Sequence, residues 1–202
     1  MEGESYWSMA NRGEALLRDR ASKFYAYAQP CVSQDEMDTF LNELKKIHPT
    51  ARHFCWAARW GEPLEERTHD GGEPAHSAGS PILHALQSAG VQQSAVVVVR
   101  YFGGTKLGVP GLIAAYRSSA AEAIEQAGRI EVIPTQEVRI VHPYDVIGAL
   151  EFILKQTEAR ILNQSFGQNC ETTVEIALRD FPLFRGRLQA YPDIQVEEKP
   201  KI

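Results

Sequence analysis

The residues best suited to chemistry lie between Arg100 and Gly108, after four consecutive valines and before a helical pattern. Arg100 and Lys106 supply positive charge, and Gly103, Gly104 and Gly108 let the backbone approach a ligand closely. The free N–H groups of a helix's first turn attract anions. Neither G-x-x-x-x-G-K-[ST] nor G-x-G-x-x-G is present. The stretch predicts an anion- or phosphate-binding turn, or else glycines that only permit a tight connection.

A second group of polar residues, in the loop 69–76, offers acids, bases and metal ligands. Asp70, Glu73 and His76 lie in this loop, and His53 precedes it in a predicted strand. Carboxylates and imidazoles can bind a divalent cation or transfer protons, although neither H-E-x-x-H nor an EF-hand spacing is present. The loop could therefore serve a small metal-dependent hydrolase or nucleotide-binding enzyme. Alternatively it is structural, with Asp70 and Glu73 accepting hydrogen bonds from backbone N–H groups.

Arg100 also has two interpretations. Because it follows a buried strand, its head should emerge at the strand's end and form a binding rim with Lys106. The alternative is an ion pair with Asp70 or Glu73 that pins the acidic loop, since arginine forms strong bonds to carboxylates. Both could hold if a phosphate or an RNA backbone competes for the arginine.

Nucleophile and cofactor motifs are missing from the sequence. The three cysteines, Cys31, Cys55 and Cys170, are widely spaced and form no C-x-x-C, as is typical of buried thiols in a reducing cytoplasm. There is no G-x-S-x-G motif. We therefore expect no cofactor and no metal, and enzymatic activity is not supported.

Charge and hydropathy narrow the class of protein further. The 202 residues carry a formal net charge of −5, which argues against bulk electrostatic binding to nucleic acid but allows a local basic patch. No apolar run is long enough to span a bilayer, and no signal-peptide core follows Met1. We expect a cytoplasmic protein without membrane contact; the oligomeric state is not indicated.

The segments that must position these residues predict an α+β unit over residues 1–134, with one sheet and helices packed on a face. Residues 1–13 look like a loose lead-in. Predicted strands cover 24–27, 54–60, 64–68 and 96–99. Predicted helices start at the Ser33/Glu36 capping box, at Ser80-Pro81 and near Leu112, and end before Pro49, Gly90 and Gly128.

Residues 135–202 predict a second domain, after a linker at 133–135. Strands are expected at 138–141, 160–162, 173–178 and 194–196, with a turn at 167–169. Helices are expected over 146–154 and after Asp180, with Phe166 and Phe184 in the core. This βαββαβ order is the ferredoxin-like plan.

Several ordered motifs resemble a known family. RYFGGTKLG, from Arg100 to Gly108, resembles the signature R-[FYW]-[FYW]-G-G-x-K-x-G of the IMPACT family, whose bacterial members are the YigZ-like proteins. HFCWA at 53–57, and DGGEP at 70–74 with SAGSP at 77–81, resemble further family motifs, so the resemblance covers about residues 20–127. The chain departs from the family pattern at Gly71, His76, Pro110 and Ala114.

The resemblance implies a fold and a role. It implies a ribosomal protein S5 domain 2-like N-terminal unit and a C-terminal domain similar to parts of elongation factor G. It also implies a translation-linked role through binding RNA, the ribosome or a regulatory protein, and not through substrate turnover. The residues expected to form or orient the binding surface are His53, Asp70, Glu73, Arg100, Tyr101, Gly103, Gly104, Lys106 and Gly108.

Overall fold

The protein, seen in a computed structural model that describes residues 3–167 and 170–198, consists of two compact units. One comprises Tyr6–Glu131, and the other begins at Val132 and includes the short segment before Tyr6. In the described part of the chain, the helices are all too short or too polar to cross a membrane.

The first unit is built on a five-stranded antiparallel sheet in the order β2-β3-β6-β4-β5. A separate two-stranded sheet joins β1 to β7, so the predicted loose lead-in contains a strand. The strands are β1 (Tyr6–Met9), β2 (Gly13–Asp19), β3 (Ser22–Pro30), β4 (His53–Trp60), β5 (Glu65–His69), β6 (Ser94–Tyr101) and β7 (Arg129–Val132). The helices are α1 (Gln34–Ile47), α2 (Gly79–Ala89) and α3 (Gly108–Ala127).

Strand β6 lies at the centre of the sheet and is buried on both faces, as its run of valines predicts. Val96 and Val98 pack in the same cluster as residues of α2 and α3, whereas Val97 and Val99 pack with α1. Helices therefore cover both faces of the sheet and not one face only. An uninterrupted apolar strand requires this, because each face of it must be shielded from water.

The helix ends follow the sequence signals except at two starts: α3 begins at Gly108 and not near Leu112, and the start of α2 also differs. The Ser33 hydroxyl caps α1 by accepting a bond from the Glu36 N–H, and Gly90 ends α2 with a φ of 68°. Helix α2 begins at Gly79, with Ala78 at its cap position, and not at Ser80. The side chain at the cap position does not bond to this helix; Asp70, in the loop before it, caps it instead.

The second unit has the predicted βαββαβ order, and its sheet runs β11-β8-β10-β9 with antiparallel neighbours. Its elements are β8 (Thr135–His142), α4 (Ile147–Gln156), β9 (Arg160–Phe166), β10 (Cys170–Ala177), α5 (Phe181–Leu188) and β11 (Gln195–Glu198). Phe184 is in the core as predicted, but Phe166, on the outer strand, is exposed. Most of the predicted turn at 167–169 lies outside the described residues.

Candidate functional site

Three segments meet at the candidate site: the end of β6, the loop before α2 and the start of α3. Arg100 pairs in register with Phe24 of β3 and His53 of β4, whereas the next residue, Tyr101, pairs with Lys23. Because side chains alternate along a strand, Arg100 and Tyr101 lie on opposite faces of the sheet. The predicted site residues are thus divided between two faces.

Arg100 is buried, contrary to the expectation that its head would emerge at the strand's end. Its Nη1 lies 2.7 Å from Oε1 of Glu73, and the two side chains are only 6% and 5% exposed. The guanidinium carbon also lies over the rings of Phe24 and Phe102, at 5.4 and 5.5 Å from their centroids. The ion-pair interpretation of Arg100 is therefore correct for Glu73.

Tyr116 completes this buried network, although in the sequence it is only one aromatic residue in an apolar helical stripe. Its hydroxyl donates a 2.8 Å bond to the same Oε1 of Glu73. The Cys55 sulfur lies 3.2 Å from that hydroxyl and 3.0 Å from the carbonyl oxygen of Asp70. Burial raises the pKa of Cys55 to about 12, and burial also raises the pKa of Tyr116. Both groups therefore stay protonated at neutral pH, and Cys55 is not an activated nucleophile.

Asp70 has a structural task, as the backbone-bonding interpretation predicts. Its Oδ1 accepts bonds of 3.0 and 2.8 Å from the N–H groups of Ala78 and Gly79, and its Oδ2 accepts one of 2.9 Å from His76. Burial would raise the pKa of Asp70, but these three bonds outweigh it and the pKa is lowered. Asp70 thus caps α2 from outside the helix, while Glu73 bonds to Arg100 and Tyr116 and, in the described part of the chain, to no backbone N–H group.

His53 lies beside the network without joining it. Its Nδ1 is 3.0 Å from the carbonyl oxygen of Gly71 and 3.9 Å from Oε1 of Glu73. His69 accepts a 3.1 Å bond from the N–H of Gly71. Across residues 3–167 and 170–198, no group of three or more His, Cys, Asp or Glu side chains is arranged to hold a metal ion.

The turn itself leaves charge and backbone at the surface. The Gly103 N–H bonds to the hydroxyl of buried Ser22 at 3.2 Å, which fixes the start of the turn. Beyond it, Gly104 and Lys106 are exposed. Among the residues that the structure describes, no carboxylate pairs with Lys106 and no side chain caps the N-terminus of α3.

A cavity of about 330 Å³ lies beside the turn. Its lining brings together four predicted site residues, Glu73, Arg100, Lys106 and Gly108. Nε of Arg100 is buried and has no hydrogen-bond partner among the described residues. Tyr101, His53 and Asp70 do not line this cavity. Ligand binding by these residues stays a prediction.

The fold and this geometry define a two-unit α+β protein with a ligand-sized cavity at a strand-to-helix turn, stabilised by a buried ion pair. The sequence motifs that build the turn and the loop are those of one family. The chain belongs to the IMPACT family: the Impact N-terminal domain matches residues 20–124. The resemblance drawn from the sequence is thereby confirmed.

Relatives extend the match over most of the chain. An IMPACT family member of Haemophilus influenzae is 31% identical, over 84% of each chain. The IMPACT family member YigZ of Escherichia coli is 35% identical, over 73% of this chain and 74% of that one. Protein IMPACT of Xenopus laevis is 38% identical over 46% of this chain. A crystal structure described as that of a hypothetical protein superposes with a TM-score of 0.70 at 26% identity, covering 98% of this chain and 99% of that one.

Proposed function

We propose that this chain is a non-enzymatic, cytoplasmic binding protein of translation that contacts RNA on the ribosome through the turn between β6 and α3. The observation that carries the proposal is exposed Lys106, which lines a cavity beside the start of α3; within residues 3–167 and 170–198 no carboxylate pairs with it and no side chain caps that helix. A cation and free helix N–H groups together favour a phosphate. In a chain of net charge −5, such contacts must be local.

The buried network supports binding over turnover. Glu73 is paired with Arg100, and the Cys55 thiol and Tyr116 hydroxyl are held protonated by burial. A catalytic nucleophile or base needs the opposite, a pKa tuned toward neutral pH. The three cysteines are free and buried, which fits a reducing compartment.

The architecture supports the same role. The order β11-β8-β10-β9 of a βαββαβ chain is that of the ferredoxin-like fold, to which we assign the second unit. For the first unit, membership of the IMPACT family supports the ribosomal protein S5 domain 2-like fold. Both folds occur in components of the translation machinery, which is an analogy of fold and not evidence from a site.

Sedimentation with ribosomes tests the proposal. We compare the wild type with Lys106→Glu and with Lys45→Glu, a matched charge reversal of an exposed lysine on α1. The wild type and Lys45→Glu should sediment with ribosomal particles at low salt, and Lys106→Glu should be largely lost from them. Binding should also weaken as salt rises, because phosphate contacts release counterions. Absence of the wild type from every ribosomal fraction, or equal behaviour of the two variants, would reject the proposal.

A further inference from the structure

A second cavity, of about 410 Å³, lies next to the same turn on the sheet face that α1 covers. It lies at the first residues of β3 and the last residues of β6, which pair antiparallel, and His48, the residue after α1, also lines it. Its lining is mainly aromatic and consists of Ala21, Lys23, Tyr25, His48, Tyr101 and Phe102. Its size is within the range of small-molecule sites, about 300–1,000 Å³.

Hydrogen bonds or ring packing hold three of the four aromatic walls of this cavity, Tyr25, His48 and Tyr101. The two ring nitrogens of His48 lie 2.7 Å from the Tyr27 hydroxyl and 3.1 Å from the Tyr101 hydroxyl. Burial lowers the pKa of His48, so that its imidazole is neutral at neutral pH, with one donor and one acceptor. Both are occupied by the two hydroxyls. Tyr25 packs against His48, with ring centroids 5.0 Å apart. A ligand therefore meets ring surfaces, and the His48 nitrogens are already hydrogen-bonded.

Phe102 connects the two cavities. It lines both of them and is 55% exposed, although its neighbour Arg100 is buried. On one side of Phe102 lie the aromatic walls and Lys23, and on the other lie Lys106 and the start of α3. An apolar, planar group and an anionic group can thus be bound a short distance apart.

We propose, building on the function proposed above, that the aromatic cavity takes a base of single-stranded RNA. The base stacks on Phe102 and the adjacent tyrosines, while Lys106 and the N-terminus of α3 hold a neighbouring phosphate. Stacking on aromatic side chains beside a cationic groove is the common way to bind a single strand. A cationic ammonium group is the other common ligand of an aromatic cavity. The positive charge of Lys23 in the lining disfavours such a ligand, because like charges repel.

Fluorescence anisotropy with a labelled single-stranded RNA tests the base contact. A strand of the same length that lacks bases serves as the competitor that offers phosphates alone. The variants are Phe102→Leu, Phe102→Tyr and the matched control Phe152→Leu, which alters an exposed phenylalanine of the second unit. Phe102→Leu should weaken RNA binding about ten-fold or more, the size of one lost stacking contact, and leave binding of the abasic strand unchanged. Phe102→Tyr keeps an aromatic ring and should bind like the wild type.

The outcomes separate this proposal from the ribosome contact. The base site is rejected if the wild type does not bind the RNA, if it binds the abasic strand equally well, or if Phe102→Leu behaves like Phe152→Leu. In each of those cases, loss of ribosome binding in Lys106→Glu would still support the phosphate contact. Conversely, a normal ribosome profile for Lys106→Glu would reject the phosphate contact whatever the Phe102 variants do.

Discussion

Replacing Glu73 with glutamine tests whether the buried ion pair holds the acidic loop against β6. Glutamine keeps the shape of glutamate and still offers an oxygen to the Tyr116 hydroxyl, but it removes the negative charge. Arg100, with a side chain only 6% exposed, would then be a buried cation without its counter-ion. We expect Glu73→Gln to lower the free energy of unfolding substantially.

The magnitude follows from the surroundings of Arg100. Removing one partner of a buried ion pair costs about 3–5 kcal/mol. The rings of Phe24 and Phe102 remain beside the guanidinium and stabilise the cation in part, as does the Ser22 hydroxyl at 3.5 Å. The loss should therefore be near the lower end, about 3 kcal/mol. For a domain stable by about 5–15 kcal/mol, that is a large fraction.

Urea unfolding followed by tryptophan fluorescence measures this loss in the first unit alone. All three tryptophans, Trp7, Trp56 and Trp60, lie in that unit. Glu65→Gln is the matched control, because it breaks an ion pair with Arg67 in which both side chains are about half exposed. Such a surface pair contributes about 0–1 kcal/mol.

Two results would refute the reasoning. One is a destabilisation by Glu73→Gln no larger than that by Glu65→Gln. The other comes from the double variant Glu73→Leu with Arg100→Met, which replaces both charges by apolar groups. It should be more stable than Glu73→Gln, because burying neither charge is often better than burying one. A double variant less stable than Glu73→Gln would mean that packing, and not the unpaired charge, causes the loss.

Three further predictions concern the turn, the loop and the thiols. Gly103→Ala should destabilise the first unit more than Gly104→Ala in the same urea assay. A Cβ at Gly103 would lie 2.1 Å from the backbone carbonyl carbon of Ala21. A Cβ at Gly104 would meet no atom within 4 Å, so that only the φ of 88° is unfavourable there. Wild type should have a higher unfolding free energy than Asp70→Asn, and this difference should be complete above the unfolded pKa of Asp70, about 3.9. The difference should shrink as the pH falls through the lowered folded pKa, because the carboxylate of the unfolded chain takes up its proton first. A difference that grows on acidification would contradict this. Native protein should leave Cys55 and Cys31 unmodified by iodoacetamide at pH 7.5 until urea unfolds it, because burial raises their pKa values to about 12 and about 11; rapid labelling in mass spectrometry would refute this.

The sequence predicts elements well where the signal is local. The valine run of β6, the capping box of α1 and the glycines that end α2 and α3 each act through neighbours in the chain, and all four lie where predicted. The start of α2 was missed because its cap is not local. Asp70 bonds the Ala78 and Gly79 N–H groups from eight and nine residues away, so no cap residue stands next to the helix.

The candidate site shows the same boundary between local and distant signals. The motifs indicate Glu73 and Arg100, and one of the two interpretations of Arg100 pairs it with Asp70 or Glu73, because arginine bonds strongly to carboxylates. They do not indicate Tyr116, since one aromatic residue in an apolar helical stripe is expected to pack in the core, as this one does. Only the structure shows that its hydroxyl also donates to Glu73, from 43 residues away.

Arg100 is buried, but the turn that follows it still has an exposed surface, because Arg100 lies in the strand and the exposed residues come after it. Strand alternation directs Arg100 toward Glu73, on one face, and Tyr101 toward the aromatic cavity on the other. Phe102 and Lys106 come after the strand has ended, so neither is required by the sheet's packing, and both are exposed. The structural role and the proposed recognition role therefore fall mainly on different residues of this short segment. It follows that Arg100 variants should mainly lower stability, whereas Lys106 variants should alter binding with little change in the urea midpoint. Phe102 variants should alter binding and also lower the midpoint slightly, because the Phe102 ring lies 5.5 Å from the Arg100 guanidinium.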